Sequence, residues 1–387
     1  MKFHIWEFPD VNKILVDLSP KFRNKLSRKA LVKLTNYSNI SNFYKETSAI
    51  LGLKFKNCGS FYRFVKGGEG YVRLSILLKL LEILKISKIE LERNIRSYKI
   101  ENGGLKIHHV KLPIKIDTIA AMITSHLMFD GWVESSGRSS YFQKEYKALK
   151  TFIQKIEYMV GKVEVKNSRK VFYPPTFLVK LLRKFYEIDS FSSDKVKIPG
   201  KIKNGTWKDK LAVVVAAIID EGHIDSYGIT VELKNENLLN DLRSILVSLG
   251  YHCSNVTPHK GRKTKIITIY GLSKFHEDIK RLNSFYPLCN LAHKQPLFIN
   301  HLRRIKRNWW RRERGVTKIN IIKLLSKSPM KTLDLSFKLN IDRKRTLRHL
   351  NWFKKMGIVS KVNKYWLLSN NFTSKQAIEI VKKKIQN

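Results

Sequence analysis

The stretch LAVVVAAIIDEGHID, which runs from Leu211 to Asp225, decides the fold of this chain. Its nine apolar residues, Leu211 to Ile219, are followed at once by the polar letters DEG, which end at Gly222. Nine residues are too few to cross a bilayer, which needs roughly 20. A run that is apolar on every side instead predicts a short buried helix, with glycine just past its end. Carboxylates are disfavoured at a helix C-terminus because the helix dipole is negative there, so the acids indicate a functional site.

A second apolar segment ends in the same way. It is IDTIAAMITSHLMFDGWV, from Ile116 to Val133, and it closes with Asp130 and Gly131. Gly131 lies 91 residues before Gly222. Each of these glycines precedes two short alternating segments, a helical segment closed by another glycine, two further strand-like segments and a helix. The helical segments closed by glycine are predicted at Lys147–Val160 and Glu236–Leu249. The sequence therefore predicts a duplicated unit of order helix-strand-strand-helix-strand-strand-helix.

This combination resembles the LAGLIDADG homing endonucleases over roughly Leu112 to His301. The nine consensus residues correspond to Ile123–Gly131 and Val214–Gly222. The resemblance implies an α+β fold with a duplicated αββαββα core, in which the two motif helices pack side by side at a pseudo-twofold axis. It also implies that the two sheets form a saddle over duplex DNA, where side chains read base edges in the major groove.

The resemblance assigns roles to particular residues. Asp130 and Glu221 would form the catalytic pair that binds divalent metal, expected to be Mg²⁺. A basic residue beside the metal would polarise water or phosphate, and Lys263 and Lys265 are the candidates. Lys263 and Lys265 are also candidates for DNA contact, or equally for solvated surface charge, together with Arg138, Lys144, Lys234 and Arg262.

The two motif segments depart from the family consensus at several positions. Ser125 and Ala216 replace the consensus glycine with other small residues. His126 is large and polar where a small or apolar residue is usual. The sixth consensus position, an Asp in the family, is Met128 in one half and Ile219 in the other.

Composition indicates a polyanionic partner. The chain has 387 residues and a formal net charge of +44, and 43% of its residues are hydrophobic, which is typical of a folded protein. Nucleic acid is the first candidate for such a basic protein, and a generally basic solvated surface is the alternative. The three cysteines have no paired spacing, so neither a disulfide framework nor a cysteine zinc site is expected. No signal peptide or membrane segment is evident, and we expect an intracellular, cytoplasmic protein.

The region before the repeats, residues 1–107, is predicted to be an all-α domain similar to a helix-turn-helix. Residues 1–20 are interpreted as a packed lead-in, and Lys21–Lys99 as helical. Ser60–Arg63 would belong to the recognition helix, and a plain helical packing domain is the alternative. The LAGLIDADG-like core is predicted at 108–300, with repeats at 112–191 and 207–300.

The last 87 residues, His301–Asn387, hold 24 Lys and Arg against 4 Asp and Glu. They begin with RRIKRNWWRRERG, where basic and aromatic residues alternate as in surfaces that follow a nucleic-acid backbone. The remainder predicts a winged helix at 301–387, whose third helix has Leu347, Leu350, Trp352 and Phe353 facing its core. A winged helix used for protein contact is the alternative. The predicted DNA-binding residues of this region are Arg311, Arg312, Arg343, Lys344, Arg345 and Arg348.

The leading hypothesis is a site-specific double-strand DNA endonuclease that hydrolyses phosphodiester bonds with Mg²⁺. We expect a monomer with internal pseudo-twofold symmetry. We expect no splicing domain, because the chain begins at Met1 and does not end in His-Asn. Two alternatives remain open: a non-cleaving, sequence-specific DNA-binding regulator with the same fold, and an RNA-binding maturase that helps introns to fold.

Overall fold

The protein is mixed α and β, and its computed structural model describes most of the chain. The described residues are 1–34, 64, 70–101, 105–165, 170–191, 195–225, 228–308, 315–339, 341 and 343–386. They form two compact units, of which the first contains Met1–His223 and Ile229–Lys294 and the second contains Ile224–Gly228 and Gln295–Asn387. The division into three domains made from the sequence remains a prediction.

The helices and strands are labelled here in chain order. The helices are α1 (Pro20–Leu34), α2 (Leu74–Leu84), α3 (Lys88–Arg93), α4 (Thr118–Phe129), α5 (Tyr146–Val160), α6 (Thr176–Tyr186), α7 (Gly200–Lys203), α8 (Trp207–Glu221), α9 (Glu236–Ser248), α10 (Leu272–Phe285), α11 (Gln295–Asn308), α12 (Val316–Leu325), α13 (Thr332–Leu339), α14 (Arg343–Lys355) and α15 (Ser374–Gln386). The strands are β1 (Lys2–Phe3), β2 (Ile14–Leu18), β3 (Val72–Arg73), β4 (Ile95–Ile100), β5 (Ile107–His108), β6 (Ile114–Lys115), β7 (Gly131–Val133), β8 (Ser139–Phe142), β9 (Lys162–Val163), β10 (Val171–Phe172), β11 (Gly222–Ile224), β12 (Ile229–Leu233), β13 (Thr257–Pro258), β14 (Lys265–Ile269), β15 (Met330–Lys331), β16 (Val359–Val362) and β17 (Tyr365–Leu368). Within the described ranges, no helix has both the length and the apolarity that crossing a bilayer requires.

Two buried helices, α4 and α8, lie at the centre of the first unit. All residues of α4 are buried, and so is the segment Leu211–Ile219 of α8. The helices pack against each other, and two polar contacts join them. Near their N-terminal ends the Thr118 hydroxyl donates to Asp209 Oδ1 at 2.7 Å. Near their C-terminal ends His126 Nδ1 lies 2.9 Å from Asp220 Oδ2. The helices therefore run side by side in the same direction and bring their two acid-Gly ends together.

Both helices begin at polar caps. The Asp117 carboxylate accepts a hydrogen bond from the Ile119 N–H at the start of α4. At the start of α8, Thr206 and Asp209 form a reciprocal capping box. Because of this cap, α8 begins at Trp207, one turn before the apolar run from which it was predicted.

A close approach of the backbone explains the glycine at the end of each motif. A Cβ atom on Gly131 would lie 2.6 Å from Leu127 O, and one on Gly222 would lie 2.5 Å from Ile218 O. Gly222 has an ordinary φ of −83°, so it does not adopt the left-handed conformation of the usual helix-ending glycine. Glycine is required at both positions because the backbone that continues into the next strand passes directly against the last turn of the helix.

The order of elements after α4 and after α8 is the predicted one. The segments β7, β8, α5, β9, β10 and α6 follow α4, and β11, β12, α9, β13, β14 and α10 follow α8. Their sheets differ, however. The first is three-stranded, in the order β10-β8-β7, and the second is four-stranded, in the order β11-β12-β14-β13. Strand β9 instead joins β5 in another sheet.

The prediction of an all-α N-terminal domain is wrong. A five-stranded sheet of order β3-β2-β4-β5-β9 runs through this part of the first unit. Residues Ile14–Leu18 alternate between buried and half-buried side chains, as a strand with one core face does. The sheet also crosses the predicted boundary at residues 107–108, because β5 pairs with both β4 and β9. The proposed recognition residues Ser60–Arg63 lie outside the described residues.

The second unit contains α12, α13 and α14 with a three-stranded sheet of order β15-β17-β16. Its core includes Leu335, Leu350, Phe353 and Trp366. These helices and strands match the predicted winged-helix order. Leu347, however, is 38% exposed and does not face the core as predicted. Thr346 is buried in its place, because positions 346, 350 and 353 share one face of α14.

Candidate active site

The carboxylates of Asp130 and Glu221 come together where α4 and α8 end. Asp130 is the C-terminal cap of α4, and Glu221 is the last residue of α8. Both side chains are half-buried. Burial raises the pKa of Asp130 to about 7, and the charge of Asp220 adds to this effect. Burial likewise raises the pKa of Glu221 to about 7, with further contributions from Asp130 and Asp220. The site therefore concentrates negative charge that the protein only partly compensates.

A third carboxylate, Asp220, lies fully buried beneath this pair. Its Oδ1 accepts a hydrogen bond from the Tyr141 hydroxyl at 2.6 Å, and its Oδ2 lies 2.9 Å from His126 Nδ1. Burial raises the pKa of Asp220 to about 8. Asp220 was not among the residues predicted to be functional, although it stands next to Glu221 in the sequence.

Gln143 connects the buried acid to the half-buried pair. Its Nε2 donates to Asp130 Oδ2 at 2.5 Å and to Asp220 Oδ1 at 3.2 Å. Gln143 follows β8 directly and is buried. One amide group thus fixes the orientation of the Asp130 carboxylate relative to the core.

Lys294 is the basic residue that lies beside the acids. Its ammonium donates to Ile218 O at 2.7 Å and to Gly222 O at 2.6 Å, which satisfies carbonyl groups at the C-terminal end of α8. Burial lowers the pKa of Lys294, and the three carboxylates oppose that effect. Lys294 in turn lowers the pKa of Asp130 and Glu221.

The two basic residues proposed to act beside the metal have other surroundings. Lys265 forms a salt bridge with Glu236, and Lys263 is exposed in the connection between β13 and β14. Lys144, a candidate for DNA contact, does lie near the site, since its charge lowers the pKa of Asp130. Lys294 stands 72 residues after Gly222, in no local motif, so no sequence pattern identified it.

Further polar side chains lie in the core under the site. Lys155 is buried, which lowers its pKa to about 8, while the nearby Cys289 and Asp220 act in the opposite direction. Burial and the charge of Lys155 lower the pKa of His126 well below its usual range. The second ring nitrogen of His126, Nε2, is buried and has no hydrogen-bond partner among the residues that the structure describes. The motif helices are therefore joined by a polar core, in which burial disfavours the charged form of the His126 imidazole.

Within the part of the chain that the structure describes, no three His, Cys, Asp or Glu side chains are grouped to bind a metal by themselves. Asp130 and Glu221 offer carboxylate oxygens, the donor type that Mg²⁺ prefers. Sites that hold Mg²⁺ through one or two carboxylates take their remaining ligands from water and substrate phosphates. The donor set fits a cation bound together with a phosphate.

The basic residues predicted on the third helix of the winged helix are all on its surface. Arg343, Lys344, Arg345 and Arg348 are exposed along the N-terminal half of α14. Arg311 and Arg312 lie outside the described residues. Four exposed cations within the first two turns of this helix form a surface that attracts phosphate.

Residues 315–361 match a helix-turn-helix family model described as "Bacterial regulatory protein, arsR family". Among solved structures, the chain is similar to mesophilic variants of the homing endonuclease I-DmoI, at 15% identity over 43% of this chain and 96% of that chain, with a TM-score of 0.32. It is also similar to I-DmoI in complex with DNA and Ca, at 15% identity over 48% and 98% of the two chains, with a TM-score of 0.33. Full-length DUF199/WhiA from Thermatoga maritima matches at 11% identity over 69% of this chain and 92% of that chain, with a TM-score of 0.30. TM-scores this low do not establish a shared fold. No curated protein sequence matches the chain.

Proposed function

We propose that this protein is a DNA-binding, site-specific endonuclease that cleaves both strands of duplex DNA with Mg²⁺. The observation that supports cleavage is the pair of half-buried carboxylates, Asp130 and Glu221, whose pKa values are both raised to about 7. Two acids that repel each other without a cation suit a site that binds cations. The net charge of +44 supports a nucleic-acid substrate. So does the match of residues 315–361 to a family of regulatory proteins.

In this proposal Asp130 and Glu221 hold the metal. Bound Mg²⁺ would supply an activated water and would stabilise the leaving oxygen of the phosphodiester. Gln143 keeps the Asp130 carboxylate oriented through its hydrogen bond. The positive charge of Lys294 lies beside the acids. Its hydrogen bonds to described residues go to two carbonyl groups, so the carboxylate oxygens stay available to a cation.

The remaining parts of the chain would supply affinity. The cations of α14 would contact DNA phosphates and base edges, as the recognition helix of a helix-turn-helix does. We further propose that the segments 1–107, 108–300 and 301–387 differ in role, with one sheet spanning the first boundary, and that the protein is a monomer in which the two halves of the core are related by a pseudo-twofold axis. Lys263 and Lys265 remain candidates for DNA contact, although Lys265 already has an acidic partner.

A second candidate function is a DNA-binding regulator that does not cleave. The family model that matches residues 315–361 describes regulatory proteins, and a winged helix is not needed for phosphodiester hydrolysis. Lys294 also offsets part of the negative charge of the acids without metal. This alternative predicts tight binding to particular duplex sequences in EDTA as well as in Mg²⁺.

The deciding experiment incubates the full chain with a randomised duplex library in Mg²⁺, in parallel with an Asp130→Asn/Glu221→Gln double variant. Both acids are replaced by near-isosteric amides, so binding through basic surfaces should be retained. We expect cut ends from the native protein alone, at one recurrent sequence. Calorimetric titration with Mg²⁺, in the presence of a recovered duplex, should show a metal-binding heat that the double variant lacks.

The outcomes separate the two candidates. If both proteins enrich the same duplex and neither cuts it, cleavage is refuted and the regulator is supported. If the double variant cuts as well as the native protein, Asp130 and Glu221 are not the catalytic pair.

A further inference from the structure

The sheet that directly follows Asp130 has an exposed aromatic surface. In the order β10-β8-β7, Trp132 pairs with Ser140 and Val171 pairs with Phe142. Directly paired residues point to the same side of a sheet, as do residues two apart in a strand. Trp132, Ser140, Phe142 and Val171 therefore share the face opposite to buried Tyr141. Trp132 is 55% exposed and Phe142 is 41% exposed on this face.

Tyr173 extends the same surface beyond the end of β10. It is 60% exposed and lies two residues after Val171. We refer to Trp132, Phe142 and Tyr173 together as the aromatic face. Large exposed rings grouped on one surface indicate an interaction site.

Cations surround the aromatic face. Arg138, Lys144 and Lys170 are exposed on the segments that form or flank its strands. None of the three has a salt bridge to a described residue. Aromatic rings interleaved with positive charge are typical of surfaces that bind the bases and backbone of single-stranded nucleic acid.

The corresponding surface of the second sheet is polar. On β12 and β14 the Thr230 and Thr268 hydroxyls lie 3.2 Å apart. The neighbouring Glu232 accepts hydrogen bonds from Thr264 and Arg262. Hydroxyl and carboxylate groups can hydrogen-bond to base edges in a groove. Aromatic ring faces stack on the faces of bases instead, so the two sheets are suited to different features of a nucleic acid.

We propose that the aromatic face binds unpaired nucleobases by stacking, so that this protein holds a single-stranded or locally unpaired nucleic-acid segment against its first sheet. In intact duplex the faces of internal bases are covered by their neighbours, so flat rings gain little from it. Unpaired bases expose their faces, and the surrounding lysines and arginine match the charge of their phosphates. The proposal goes beyond the endonuclease proposal and does not depend on cleavage.

The test measures binding by the full chain in EDTA, so that cleavage plays no part. Fluorescein-labelled oligo(dT) and oligo(rU) of about 20 nucleotides are compared with a mixed-sequence duplex of the same length by fluorescence anisotropy. Neither homopolymer forms pairs, and the comparison of the two assigns the preference to DNA or to RNA. We expect both single strands to bind through the aromatic face.

Substitutions at Trp132 provide the decisive comparison. Stacking contributes about 1–3 kcal/mol per base, so Trp132→Ala should weaken single-strand binding about 5-fold or more while duplex binding changes less than about 2-fold. Trp132→Phe retains a ring and should restore most of the affinity. Phe285→Ala removes a ring of similar exposure, 54%, from α10 and should leave single-strand binding unchanged.

Tryptophan emission tests the same contact without loss of a side chain. Oligo(dT) should quench the emission of the native chain more strongly than that of Trp132→Phe, because only the native chain has an indole at the contact. This comparison remains valid even if Trp132→Ala unfolds. Equal quenching of both proteins, or equal weakening of duplex and single-strand binding in Trp132→Ala, would overturn the proposal. Light scattering that shows a dimer in the native chain and a monomer in Trp132→Ala would instead assign the aromatic face to self-association.

Discussion

Replacing Glu221 by Gln should stabilise the folded chain at high pH and leave its stability almost unchanged at low pH. Burial, together with the charges of Asp130 and Asp220, raises the pKa of Glu221 from 4.5 to about 7. Between these two pH values the folded state holds a proton that the unfolded state has lost. The free energy of unfolding therefore falls as pH rises from about 4.5 to about 7, and the loss persists above that range.

The expected size of the effect follows from the pKa shift. A shift of one pKa unit corresponds to about 1.4 kcal/mol, so the shift from 4.5 to about 7 sets an upper limit of about 3 kcal/mol. Glu221 is only half-buried, and solvent screening reduces this value. We expect Glu221→Gln to raise the free energy of unfolding by about 1–2 kcal/mol at about pH 8 and by almost nothing at about pH 4.

The assay is urea unfolding in EDTA, followed by circular dichroism at both pH values. Glu232→Gln is the matched control, because hydrogen bonds from Thr264, His259 and Arg262 lower the pKa of Glu232 to about 2. The ionised Glu232 side chain stabilises the folded state above the pKa of an unfolded glutamate, and this stabilisation is lost as pH falls toward 2. This control should therefore be destabilised at neutral pH. Added Mg²⁺ should stabilise the native chain more than Glu221→Gln, because the variant lacks one carboxylate ligand. A Glu221→Gln variant that gains the same stability at both pH values would refute the reasoning.

Three further perturbations have defined outcomes. Gly222→Ala should lower the free energy of unfolding by about 2–4 kcal/mol, because its Cβ would meet backbone atoms at 2.5 Å. Gly200→Ala, which meets no atom within 4 Å, is the control in the same urea experiment, and equal losses would contradict the steric explanation. Lys294→Met removes the cation that lowers the pKa of Glu221, so NMR titration should find that pKa further raised; an unchanged value would show that Lys294 does not act on the acid. Arg348→Ala should weaken duplex binding and reduce the salt dependence, as a log–log slope, by about 1 if this side chain contacts a phosphate. An unchanged slope would exclude that contact.

Local sequence patterns were sufficient to predict the helices near the site. The helix predicted at Lys147–Val160 extends only one residue further, to Tyr146, and the helix predicted at Glu236–Leu249 ends at Ser248. Apolar periodicity and a closing glycine define such helices within one short segment. The two carboxylates at the helix ends, Asp130 and Glu221, were also identified from the sequence, because an acid is disfavoured at the C-terminal end of an apolar helix.

Long-range partners were not predictable in the same way. Gln143 reaches an acid 77 residues away, and Lys294 reaches a carbonyl group 76 residues away. No periodicity encodes such distances. The strands Ile14–Leu18 and Ile95–Ile100 were missed for a related reason, since a short strand is stabilised by the partner beside it more than by its own propensity.

The two polar contacts between α4 and α8 limit what these helices can pair with. Two copies of α4 from different chains would leave His126 without its carboxylate, and two copies of α8 would bury Asp220 without its imidazole. A buried polar group that is left without its hydrogen-bond partner costs about 1–3 kcal/mol, and each such association would incur that cost on both sides. The buried pair therefore makes the helices complementary to each other and poor partners for themselves. Self-recognition through these helices is disfavoured, and each chain completes the contact internally.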